Sequence, residues 1–96
     1  MARWGIVEFA QLCIAFKNNG GLSMAELEII QLLLEGNSVS QIAALRRRSV
    51  KTVSAQKAGA FRRLNVSNDT SLLPVLLLRG IVVIYTDPSH PFRVAQ

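Results

Sequence analysis

Between positions 46 and 63 the chain reads RRRSVKTVSAQKAGAFRR, which holds seven of its eleven Lys and Arg residues and neither Asp nor Glu. Side chains of this type at this density do one kind of chemistry well: they neutralise phosphates, giving affinity and register without sequence information. A solvated basic face is the plainer account of any charge run, and the spacing of the apolar residues has to decide between the two. All six carboxylates (Glu8, Glu26, Glu28, Glu35, Asp69, Asp87) lie outside residues 36–68, so the net charge of +5 is concentrated on this middle segment. With a pI near 10.4, the balance favours a polyanionic partner, either nucleic acid or an acidic membrane surface.

The remaining inventory argues against catalysis. One His and one Cys make neither a triad nor a metal cluster, and His90 falls between Pro88 and Pro91 in a tail. Glu26 and Glu28 stand two apart on a helix and so do not face each other. An enzyme is therefore not expected, nor is a metal site or a cofactor. Cys13, the single cysteine, cannot form an intramolecular disulfide; it fits a reducing, intracellular setting and reads as a small buried hydrophobe. The opening MARWGIVEFAQLCIAF is interrupted by Glu8 and has no A-x-A cleavage site, against an export signal. LLPVLLLRGIVVIY at 72–85 carries Arg79 and Gly80 at its centre and is too short to span a bilayer.

Ninety-six residues, half of them apolar, suffice for one domain with appendages. Residues 4–17 are apolar on nearly every side, which predicts a packed N-terminal helix ended by NNGG at 18–21. Ser23 and Glu26 form a capping-box pattern, with Leu22 placed as a staple against Leu27. Leu27, Ile30, Leu33 and Leu34 then recur at helical spacing up to Gly36, a left-handed exit. Ser38 caps a second helix of about two turns, VSQIAALR, in which Val39, Ile42 and Leu45 share a face. Ser49 caps a third over 50–64, held inward by Val53, Ala60 and Leu64. A 100° step per residue then turns Lys51, Ala55, Ala58 and Arg62 outward, with Ser54 beside them. A fourth helix follows NVSND; with Thr70 or Ser71 as its cap, Pro74 falls in the first turn, where its missing N–H costs nothing. IVVIY at 81–85 is strand-like but has no evident partner, and the tail to residue 96 reads as irregular.

A short capped helix, a tight turn and a longer basic helix make a helix-turn-helix, whose second helix can enter a major groove. With L-S-x-x-E at 22–26, Gly36, Ile42-Ala43, S-x-K-T-V at 49–53 and R-L-x-V at 63–66, the chain resembles the LuxR-type (FixJ/NarL) DNA-binding domain over about residues 22–78. SVKTVSAQK and RRLNVSNDTSLL are most similar to the C-terminal domains of capsule-regulating Rcs-type response regulators. The resemblance implies an all-α, four-helix domain at 22–79, here flanked by an extra N-terminal helix and linker (1–21) and an irregular tail (80–96). It implies a cytoplasmic transcription regulator at the bacterial nucleoid that binds promoter DNA as a dimer, with residues 50–64 as recognition helix. Ser54, Ala55 and Ala58 would approach base edges, and Lys51, Thr52, Lys57, Arg62, Arg63, Arg46 and Arg48 complete the expected DNA contacts. The fourth helix would supply the dimer surface through Leu72, Val75, Leu76 and Arg79.

Several positions depart from the family pattern. Arg46 stands where an apolar residue is usual, and an unpaired buried Arg is costly; Leu45 is expected to take over the inward position and carry Arg46 to the rim. Gly59 lies inside the recognition helix, at about 1 kcal/mol relative to Ala. Asn65 replaces a frequent Gly but also tolerates the left-handed conformation. The readout face, Ser54, Ala55 and Ala58, lacks any Asn, Gln or Arg squarely placed for bidentate base recognition. An alternative reading follows: an auxiliary regulator that heterodimerises with a related one and reads DNA weakly itself. A sigma-factor-like promoter module and a membrane-surface peptide are further classes. The Leu-Ser-x-x-Glu start and the Ser-x-Lys-Thr-Val run disfavour the first, and cooperative helical folding without lipid would exclude the second.

Overall fold

A computed structural model describes residues 6–9 and 12–86, with the order β1 (Ile6–Phe9), β2 (Leu12–Phe16), α1 (Met24–Leu34), α2 (Val39–Arg46), α3 (Val50–Leu64), α4 (Asp69–Leu78) and β3 (Val82–Thr86). The first three helices begin and end where local chemistry puts them. Ser23 Oγ accepts the Glu26 N–H at 3.1 Å while Glu26 Oε1 accepts the Ser23 N–H at 3.0 Å, a reciprocal capping box. Leu22 and Leu27 are buried in one cluster, as a staple requires. Gly36, at φ 99°, closes α1: its N–H bonds the Leu33 carbonyl and the Asn37 N–H bonds that of Leu32, the Schellman pattern. Ser38 and Gln41 repeat the capping box on α2, and Ser49 Oγ accepts the Thr52 N–H at the start of α3. Asn65 ends α3 at φ 60°, using the left-handed tolerance of Asn.

The expected N-terminal helix is a β-hairpin. β1 and β2 pair antiparallel, with Ile6 opposite Ala15 and Phe9 opposite Leu12, and β2 pairs antiparallel with β3, with Phe16 opposite Val82 and Leu12 opposite Thr86. The sheet order is β1-β2-β3. Cys13 and Ile14, on opposite faces of the central strand, are both buried. An apolar run covered on two sides has the same appearance in a strand as in a packed helix, and only its length and β-branched content separate the two. The partner that IVVIY lacked is β2, so the segment after Gly80 is not irregular as far as Thr86. Its expected irregular remainder lies outside the described residues.

Helix α4 also differs from expectation. Asn68 is its cap, with Oδ1 accepting the Ser71 N–H at 2.9 Å and the Ser71 hydroxyl at 3.0 Å, so Pro74 sits inside the helix rather than in its first turn. Thr70, whose carbonyl loses its partner at Pro74, is exposed, as is Pro74 itself. The defect therefore faces solvent, while the earlier start puts Leu72 and Leu76 in the core.

Two clusters hold these elements together. Ile14, Phe16 and Val82 from the sheet pack with Leu27 and Ile30 of α1, Ala60, Phe61 and Leu64 of α3, and Leu72 and Leu76 of α4. Ile29, Ile42, Ala43 and Val53 join α1, α2 and the start of α3. Helix α3 spans both clusters, which fixes its rotation and leaves one face outward over its whole length.

Candidate nucleic-acid interface

The outward face of α3 is the one the helical period predicts. Lys51, Ser54, Ala55, Ala58 and Arg62 are all exposed, while Val53, Ala60 and Leu64 are completely buried. Phe61, absent from the expected stripe, is buried as well. Thr52 is exposed, and its Oγ1 accepts the Ser49 hydroxyl at 2.9 Å, which leaves the threonine O–H free to donate outward. The turn before α3 contains Arg47 in the left-handed region at φ 54°. The Arg47 N–H donates to Ala44 O and the Arg48 N–H to Ala43 O. That conformation ends α2 abruptly and sets α3 across it.

The seven cations of residues 46–63 are not equivalent. Arg46 pairs with Glu28. Lys57 Nζ lies 2.9 Å from Asp69 Oδ1 and 5.3 Å from the centroid of the Phe61 ring. Arg63 Nε lies 3.1 Å from Glu26 Oε1. Arg47, Arg48, Lys51 and Arg62 are exposed and make no ion pair among the described residues. Lys57 stands four residues after Val53 and four before Phe61, on the inward stripe, so its side chain runs toward α4 and not with Lys51 and Arg62.

Leu45 does not replace Arg46. It is 62 % exposed, whereas Arg46 is half-buried against α1. The inward face of α2 is Val39, Ile42, Ala43 and Arg46, at i, i+3, i+4 and i+7, and Ala43 leaves room for the Arg stem beside Glu28. A paired Arg thus occupies the usually apolar position without an orphaned charge.

Gly59 has a comparable explanation. A Cβ there would stand 2.9 Å from Glu26 Oε2, so the glycine admits the α1 carboxylate that caps its own helix and holds Arg63. The Glu26 carboxyl is pulled below the usual glutamate range, first by the hydrogen bond from the Ser23 N–H and then by Arg63, against the opposing effect of desolvation.

Of the residues expected at a dimer surface, Leu72 and Leu76 are 4 % and 0 % exposed; they belong to the chain's own core because α4 starts at Asp69. Val75 is half-buried and lines a groove with Leu78, Arg79 and Arg63. Arg79 Nη1 donates to the Leu64 carbonyl at 2.9 Å, which ties α4 to the C-terminal end of α3. The apolar residues that α4 does present are Leu77 and Leu78, 41 % and 87 % exposed. Sequence patterning passes over both, since a helix apolar on every side gives no inward direction until its packing is known.

The family profile described as bacterial regulatory proteins, luxR family, matches residues 21–76. Over 58 residues the chain is 45 % identical to the uncharacterized HTH-type transcriptional regulator YuaB of Escherichia coli K12, covering 60 % of this chain and 16 % of that protein. Over 55 residues it is 46 % identical to the transcriptional regulatory protein RcsB of Escherichia coli K12 and of Salmonella typhimurium, covering 57 % of this chain and 26 % of RcsB. The matched segment thus spans about a quarter of RcsB and less of YuaB. No solved structure matches the chain significantly.

Proposed function

Because the chain belongs to the luxR family of bacterial regulatory proteins, we propose that it regulates transcription by binding duplex DNA in the cytoplasm, at the bacterial nucleoid, with α3 in the major groove. The observation that carries this reading is the outward face of α3, free of acid and flanked by Arg47, Arg48, Lys51 and Arg62, which make no ion pair among the described residues. Those four supply most of the phosphate contact. Arg46, Lys57 and Arg63 contribute less because each already faces a carboxylate. Ser54, Ala55 and Ala58 approach the base edges, with Thr52 donating to the backbone beside them.

Dimerisation uses the outer side of α4, through Leu77, Leu78 and the groove along Val75 and Arg79. One observation favours a second reading, in which the partner is a related regulator and not another copy: the readout face has Ser54 as its one hydrogen-bonding residue among alanines. A heterodimer would then take much of its specificity from the partner. The RcsB and YuaB likenesses support regulation of transcription and name no operator.

The test is a binding titration on promoter fragments and on random duplex at several salt concentrations, together with sedimentation of the chain alone. Measurable binding with a steep salt dependence is expected. No duplex binding at low salt would overturn the proposal, and DNA binding only in the presence of a co-purified regulator would favour the heterodimer.

A further inference from the structure

In the register of β2 with β3, Phe16 stands opposite Val82 and Ile14 opposite Ile84. One step beyond the strand, Lys17 faces Ile81, and its N–H donates to the Ile81 carbonyl at 2.7 Å. Opposed residues in an antiparallel ladder alternate between bonded and non-bonded pairs. Ile81, Val83 and Tyr85 therefore turn their N–H and C=O groups toward β2, while Val82, Ile84 and Thr86 turn theirs away from it. On that side β3 has no neighbouring strand among the described residues. Val82 is buried at the α4 end, whereas Ile84 is 36 % exposed and Thr86 is exposed, so the open part of the edge runs from Ile84 to Thr86.

An open edge is a template for another strand, and natural sheets block such edges with charge, proline or a bulge. The opposite edge of this sheet has a charge of that kind, since Glu8 is one of the four residues of β1. β3 reads VVIYT, without charge, Pro or Gly. We propose that this edge pairs with β3 of a second copy of the chain, antiparallel about a two-fold axis, so that the sheet continues across a dimer. Self-complementarity selects that occupant. The two-fold sets Ile84 opposite Thr86 of the second copy and Thr86 opposite its Ile84, and each such pair exchanges two N–H···O bonds. Tyr85 then falls opposite its counterpart, at the closer non-bonded position where aromatic pairs are favourable. Charge permits the approach. β2 and β3 carry none, and the sheet packs through Ile14, Phe16 and Val82 against Ala60, Phe61 and Leu64 of α3, so the cationic outward face of α3 lies across the core from it. The edge uses residues other than Leu77 and Leu78 of α4, and its pairing requires no DNA.

The experiment is amide hydrogen exchange on the full chain without DNA, followed by NMR over a dilution series, with sedimentation equilibrium on the same samples. The N–H groups of Val83 and Tyr85, directed at β2, should be protected at every concentration. Those of Ile84 and Thr86 should gain protection only as the dimer forms. Thr86→Pro removes an outward N–H and none that β2 receives. It should raise the dimer dissociation constant at least about tenfold, because the two-fold removes that bond twice, while Thr86→Val, which keeps the N–H, should leave it unchanged. Retained protection of Val83 is the check that each variant folds. Protection of Ile84 that does not depend on concentration would mean that the edge is already covered within one chain, and would overturn the inference. A chain that stays monomeric, or a Thr86→Pro variant that dimerises like wild type, would overturn it as well. A dimer in which Ile84 still exchanges freely would also overturn it, and would leave the α4 surface proposed above standing.

Discussion

The division of the basic segment into paired and free cations makes a quantitative prediction about salt. Each phosphate neutralised on B-DNA contributes about −0.9 to the slope of log K against log salt. Four free cations, Arg47, Arg48, Lys51 and Arg62, therefore give a slope of about −3.6 per chain, and all seven would give about −6.3. Between 50 and 200 mM salt these correspond to losses of about 150-fold and about 6,000-fold, a difference that fluorescence anisotropy resolves easily. The sharpest comparison is Lys51→Gln with Lys57→Gln, because the two changes remove the same charge from the same helix. Lys51 is exposed and makes no ion pair among the described residues, and its loss should make the slope shallower by about 0.9. The Lys57 side chain is 22 % exposed and directed at Asp69, so its loss should leave the slope nearly unchanged. An exposed ion pair alone is worth under about 1 kcal/mol and could exchange for a phosphate. What withholds Lys57 is its place on the inward stripe beside Phe61. Equal loss of slope in the two variants would refute the partition of charges and with it the proposed orientation of α3 on DNA.

Three further outcomes test the fold beneath the interface. Gly59→Ala should gain well under the ~1 kcal/mol that an open helix interior gives, because the new Cβ would meet Glu26 Oε2 at 2.9 Å; urea melts should recover the full gain in a Glu26→Ala background. Glu26, with its pKa lowered by the Ser23 N–H and Arg63, contributes stability above its unfolded value of about 4.3 and loses it as pH falls through the lower folded value. Melts from about pH 6 downward should accordingly show wild type losing stability that Glu26→Gln keeps, and parallel curves would contradict that role. Pro74→Ala restores an N–H opposite the exposed Thr70 carbonyl and loses no buried contact, so α4 should be stabilised by on the order of 1–3 kcal/mol. A neutral result would mean that the helix begins only near Pro74.

How far the fold is legible in the sequence depends on the range of the interaction that fixes each part. Helices α1, α2 and α3 can be placed from Ser23, Ser38, Ser49 and Gly36 because a cap acts within about four residues. The sheet cannot, since Phe16 meets Val82 sixty-six positions away and neither segment contains any local sign of the other. The same distinction separates the two halves of the candidate site. Its outward face follows from the 3.6-residue period, which needs only the residues of α3. Its effective charge does not, because Arg46, Lys57 and Arg63 are each engaged by a carboxylate on another helix: Glu28, Asp69 and Glu26. Lys57 is the exception that the sequence does reveal, since a residue four after Val53 and three before Ala60 must lie on the stripe those two define. Carrying the period through the charged positions as strictly as through the apolar ones removes Lys57 from the outward face by helical phase alone. What still requires the tertiary packing is the pairing of Arg46 and Arg63, and therefore the difference between a basic segment of seven and the four cations that make no ion pair among the described residues.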